Sequence, residues 1–99
     1  MRQGTTPTIQ ITVNDIKLSE MQSIQVVFEQ KGFILKKEIS DLDIDENVIS
    51  VALNQEETLK FQDGDCHIQL RMLSKQGVAI ASPIKTIKVY RVLNKEVIA

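Results

Sequence analysis

Residues 66–73 read Cys66-His67-Ile68-Gln69-Leu70-Arg71-Met72-Leu73. Cys66, Ile68, Leu70 and Met72 alternate with His67, Gln69 and Arg71, the period of two that puts apolar side chains on one face of a strand and polar ones on the other. The same period recurs outward from this stretch. Upstream, Ser23 to Glu29 places Ile24, Val26 and Phe28 together, and Lys31-Gly32 supplies the glycine of a tight hairpin into an antiparallel return over Phe33 to Ile39. Thr8 to Val13 alternates through Ile9, Ile11 and Val13, and Val48 to Leu53 through Ile49, Val51 and Leu53. Downstream, Ser74-Lys75-Gln76-Gly77 reads as a turn into Val78 to Ala81, and Ile84 to Leu93 as a last strand. Pro83 between them cannot donate a ladder hydrogen bond and marks a bulge, a bend or a switch of sheet.

One segment breaks the alternation. Asn54 stands three residues before Glu57, the spacing of a capping box, and predicts a short helical turn within Asn54 to Gln62 with Leu59 and Phe61 packed beneath it. Ile16 to Met21 and the acidic run Asp41 to Asn47 read as connections. The whole predicts an all-β fold: an antiparallel, immunoglobulin-like β-sandwich of six to seven strands with at most one short helical turn. An open barrel is the competing architecture. The expected domain covers residues 8–99, with residues 1–7 as a flexible N-terminal arm.

Composition agrees. Thirteen Ile, nine Val and six Thr make 28 of 99 residues β-branched, against four Ala. With only four aromatic residues, Phe28, Phe33 and Phe61 are the expected large core anchors. Twelve Lys and Arg balance thirteen Asp and Glu, so no global basic field favours nucleic acid or an anionic membrane as a partner. No apolar run approaches the ~20 residues of a spanning helix, and the first residues lack the apolar segment of a signal peptide, so secretion by one is not expected.

Candidate chemistry is sparse. Asp41, Asp43 and Asp45 space carboxylates as a calcium loop does, but Glu46 stands where that loop needs Gly and Ala52 where it needs a bidentate Glu. Leu42 and Ile44 are therefore expected to point inward and the Asp side chains into water. Cys66, the single cysteine, reads as a buried thiol. His67, the single imidazole, has no nucleophile placed beside it, and no Ser lies in a nucleophile elbow. These readings predict no catalytic residue, no cofactor and no metal site. The polar face Gln25, His67, Gln69 and Arg71, with Gln55 and Gln62 nearby in sequence, is rich in uncharged amides and is the candidate partner-facing surface.

Thr6-Pro7-Thr8, the strand end Val26-Val27-Phe28-Glu29-Gln30, the run Leu53-Asn54-Gln55-Glu56-Glu57-Thr58-Leu59-Lys60-Phe61, Ile68-Gln69-Leu70-Arg71, and the stretch from Ala81-Ser82 to Val89 carry a resemblance. Together they resemble a family of small proteins encoded in phages and prophages of low-GC Gram-positive bacteria, in or beside the tail and baseplate genes. The pattern is also similar to the immunoglobulin-like N-terminal domain of phage baseplate upper proteins. The resemblance implies a non-enzymatic structural or accessory protein, with phage tail or baseplate proteins as partners, and a homo-oligomer is compatible with it. The implied location is the virion, or the host cytoplasm before assembly. Two alternatives stand beside it: a soluble prophage-encoded cytoplasmic binder of a host protein, and a small calcium- or sugar-binding module.

Overall fold

The computed structural model describes Met1–Ala99 as two antiparallel sheets packed face to face. Strands β1 (Thr8–Thr12), β4 (Leu42–Asp45) and β5 (Val48–Ala52) form the smaller sheet in the order β1-β5-β4. The larger sheet is built from β2 (Met21–Gln30), β3 (Phe33–Lys37), β6 (Gly64–Ser74), β7 (Ala79–Ala81) and β8 (Lys85–Val89). Its order is β3-β2-β6, with β7 and β8 following one another along the far edge of β6.

Local chemistry sets the turns. Gln30 pairs with Phe33, so Lys31 and Gly32 are the whole loop, and both have positive φ, 50° and 87°. Two left-handed positions in a two-residue loop match the twist of the flanking strands, and glycine takes the second without steric cost. At the bend before β8, Ser82 does the work that Pro83 cannot. Its hydroxyl accepts from the Leu70 N–H at 2.9 Å, and its own N–H donates to the Leu70 carbonyl at 2.9 Å. The ladder is thus carried past the proline within one sheet. Helix α1 (Gln55–Leu59) begins with the expected capping box: Asn54 Oδ1 accepts from the Glu57 N–H at 2.8 Å, and Glu57 Oε1 accepts from the Asn54 N–H at 2.9 Å.

The inner faces meet in a single apolar core. Ile24, Val26 and Phe28 of β2 and Cys66, Ile68, Leu70 and Met72 of β6 face Ile49 and Val51 of β5. Phe61 emerges from the end of α1 and stands edge-on to Phe28 and Phe33, at centroid distances of 6.0 and 5.2 Å. Each such side chain taken fully from water contributes roughly 1.5–3 kcal/mol.

Four expectations are corrected. Leu42–Asp45, read as a connection, is a strand paired to β5, so the count is eight. Two aspartates, Asp43 and Asp45, depress intrinsic strand preference, but pairing and the half-burial of Leu42 and Ile44 override it. Two single 3-10 turns, Leu18–Glu20 and Ile39–Asp41, accompany α1. The last strand stops at Val89, well before Leu93, because its partner β6 begins at Gly64, directly opposite. The Met1 carbonyl accepts from the Tyr90 N–H at 2.8 Å, and the Gln3 N–H donates to the Tyr90 carbonyl at 2.9 Å. The first residues, expected as a flexible arm, are thereby docked, and Gln3 is only 1% exposed.

Gln3 introduces a device used three times. Its amide donates to the Phe61 carbonyl and accepts from the Val92 N–H at 3.1 Å. Gln30 donates to the Gln62 carbonyl at 2.7 Å and accepts from the Gln62 N–H at 2.6 Å. Gln55 holds the Ile98 N–H and carbonyl at 2.9 and 3.0 Å. A side-chain amide offers the same donor and acceptor as a peptide group, so each Gln stands in for a backbone partner where irregular chain passes it.

Candidate functional site

Strands β2 and β6 lie side by side at the centre of the larger sheet. Their register puts Gln25 opposite Arg71, Val27 opposite Gln69 and Glu29 opposite His67. All four candidate residues, Gln25, His67, Gln69 and Arg71, therefore share the outer face, since alternate residues of a strand point to one side. Ile34 and Lys36 of β3 flank this patch on one side, and Ala81 of β7 and Thr86 of β8 on the other. Gln55 and Gln62 are elsewhere: Gln55 is at the start of α1, and Gln62 is held through its backbone by Gln30.

The uncharged amides are less free than their sequence context implies. Gln25 Nε2 donates to both carboxylate oxygens of Glu38, at 3.2 Å each, and Gln69 Nε2 donates to the Ser82 carbonyl at 2.9 Å. His67 Nδ1 lies 3.3 Å from the Thr86 hydroxyl. Arg71 is exposed and is absent from the network of hydrogen bonds and ion pairs that ties down its three neighbours. The face thus consists of positioned polar groups around one uncompensated guanidinium, whose planar fork suits carboxylates and carbonyls.

Apolar neighbours were not legible as part of this patch. Val27 is half-buried and Ile34 is 56% exposed on the same outer face. Phe33-Ile34-Leu35 is continuously apolar, so periodicity alone does not say which of its residues faces out. An exposed aliphatic beside positioned polar groups is the mixture found in protein interfaces.

Behind the face lies the single thiol. Cys66 precedes His67 in sequence but points into the core and is fully buried. Burial pushes its thiol up to about 11, so the nucleophilic thiolate is scarce at neutral pH. No group of three or more His, Cys, Asp or Glu side chains converges as a metal ligand set, and Asp41, Asp43 and Asp45 are exposed. No helix is long and apolar enough to cross a membrane.

The other charged feature ties α1 to the sheet edge. Lys37 faces inward from β3 and meets Glu57 at 2.6 Å, both side chains largely shielded from water. Desolvation acts to raise the Glu57 carboxyl. The hydrogen bonds from Lys37 and the Asn54 N–H and the charges of Lys37 and Lys60 outweigh it, and the pKa sits below the ordinary value of 4.5.

Fold and surface together define an all-β protein of two packed antiparallel sheets, the larger with a mixed polar and apolar outer face. No family model, curated protein or solved structure matches the chain.

Proposed function

We propose that this chain is a non-enzymatic phage or prophage structural or accessory protein of the tail or baseplate region. It acts through protein–protein contacts on the outer face of the larger sheet, in the virion or in the host cytoplasm before assembly. The resemblance of Leu53 to Phe61 and the shorter stretches supplies the phage context. The observation that carries the contact role is the convergence of Gln25, His67, Gln69 and Arg71 on two neighbouring strands, with Ile34 exposed beside them. Side chains positioned by their own hydrogen bonds lose little further freedom on binding, which lowers the entropic cost of association.

The test is mass spectrometry of purified particles induced from a host carrying the gene, scored against known tail components. A fixed ratio to those components is the expected result. Arg71→Glu, a surface change that leaves the core untouched, is expected to weaken retention of the tail partner by at least about tenfold, the scale of a lost charged contact. Absence from particles, with the protein abundant in the lysate and Arg71→Glu without effect on any tail protein, refutes the proposal and favours the host-protein binder.

A further inference from the structure

The two sheets have four edges, and three carry charges or breaks that discourage pairing with another chain. Strand β3 has Lys36 and the inward Lys37, and β4 alternates Asp43 and Asp45 with its apolar residues. The β7–β8 edge is interrupted at Pro83 and carries Lys85 and Lys88. Such charged or interrupted strands are how proteins keep an edge from recruiting a partner. Strand β1 has none of these guards: Thr8-Ile9-Gln10-Ile11-Thr12 is uncharged, regular and mostly β-branched.

The backbone of β1 is poised for pairing. Pro7 O accepts from the Leu53 N–H, and the Val13 N–H donates to Asn47 O, so the odd-numbered residues bond toward β5. By the alternation of an antiparallel ladder, the N–H and C=O groups of Thr8, Gln10 and Thr12 point to the open side. Below that side, the half-buried Ile9 and Ile11 line, with Ile80 and Ile87, an apolar cleft of about 700 Å³ between the two sheets.

The sequence of β1 is also a palindrome about Gln10. We infer that β1 is a self-association edge, and that two copies pair antiparallel through it on a two-fold axis at Gln10. Each sheet of three strands then becomes half of a continuous six-stranded one. Gln10 meets Gln10 of the second copy, and Thr8 meets Thr12 of the second copy, in pairs that exchange both backbone hydrogen bonds. Ile9 meets Ile11 of the second copy on the inner side, and the apolar cleft is closed from both directions. A two-fold interface requires a self-complementary surface, and a palindromic edge strand satisfies that at every position.

Sedimentation equilibrium up to millimolar concentration tests this, with twice the 11.2 kDa chain mass as the expected limit. Gln10→Pro deletes an N–H that faces the open edge and is not used by β5, and Gln10→Lys adds the guard charge that β1 lacks. Each is expected to raise the dimer dissociation constant at least tenfold, on the order of 1.4 kcal/mol. Should the proline variant misfold, the lysine variant and cross-linking decide alone. Gln10→Cys is expected to form an intermolecular disulfide on mild oxidation. Thr12→Cys is not, because the two Thr12 residues are separated by four strand positions, about 14 Å. A chain that stays at the monomer mass, a dimer indifferent to Gln10→Lys, or equal cross-linking by both cysteine variants overturns the inference. The dimer does not rest on the proposed phage role: a monomer refutes the first and leaves the second standing.

Discussion

Replacing Gln30 by Met keeps the length of a side chain that is only 3% exposed and removes everything polar about it. In the native fold its Nε2 donates to the Gln62 carbonyl at 2.7 Å and to the Asp65 carbonyl at 3.3 Å, while its Oε1 accepts from the Gln62 N–H at 2.6 Å. The substitution strands the N–H and C=O of Gln62 against the end of β2. Gln62 is exposed and these hydrogen bonds are part-buried, so each group left without its partner costs about 1 kcal/mol, the lower end for unpaired polar groups, and the two together about 2 kcal/mol. In a domain of this size a Tm fall of at least about 8 °C follows, measured by thermal unfolding in circular dichroism. Gln30→Glu sharpens the test through its sign. At neutral pH the carboxylate still accepts from the Gln62 N–H but opposes two carbonyl oxygens. The folded state therefore raises its pKa above the ordinary ~4.3. The penalty grows as pH rises through that shifted value and vanishes below ~4.3, where the protonated acid regains a donor. The deficit of Gln30→Glu against wild type, compared at each pH, is expected to shrink on acidification. A Gln30→Met protein within about 3 °C of wild type, or a pH-independent Gln30→Glu deficit, refutes the peptide-mimic reasoning.

Asn54→Ala removes the acceptor for the Glu57 N–H and is expected to lose about 1 kcal/mol in urea unfolding at unchanged slope. Phe61→Ala empties the space against Phe28 and Phe33 and is expected to cost about 3–5 kcal/mol by the same assay. Because the folded pKa of Glu57 is depressed, its pairing stabilises the protein above the unfolded carboxyl value and that contribution is lost as pH falls through the lowered one. A Glu57→Gln variant should accordingly lose less stability than wild type between pH 4.5 and the acid limit of folding. Cys66, buried with its thiol raised to about 11, is expected to react with an aromatic disulfide reagent only at the rate of global unfolding, and rapid native labelling at neutral pH would contradict its placement.

Local periodicity made much of the architecture readable from the sequence. Cys66 to Leu73 and Ser23 to Glu29 alternate because one side of each strand must meet a core, and that requirement is written residue by residue. The hairpin at Lys31-Gly32 and the cap formed by Asn54 and Glu57 were legible for the same reason: each is completed by residues within a few positions of one another. The shared outward direction of His67, Gln69 and Arg71 followed from the period of β6 alone.

Contacts between distant segments were decided only in the folded chain. That Gln25 lies beside Arg71 depends on the β2–β6 register, and that Ile34 joins their face depends on the hairpin carrying β3 along the edge. Leu42–Asp45 became a strand because β5 was there to pair with it, against the preference of its aspartates. The last strand ended at Val89 because its ladder partner β6 begins at Gly64 opposite it, and Met1 to Gln3 bond Tyr90 just beyond, an encounter across nearly the whole chain. The buried roles of Gln3 and Gln30 were invisible for the same physical reason. A glutamine's preference is for water, and only a peptide group brought from far along the chain makes its burial favourable.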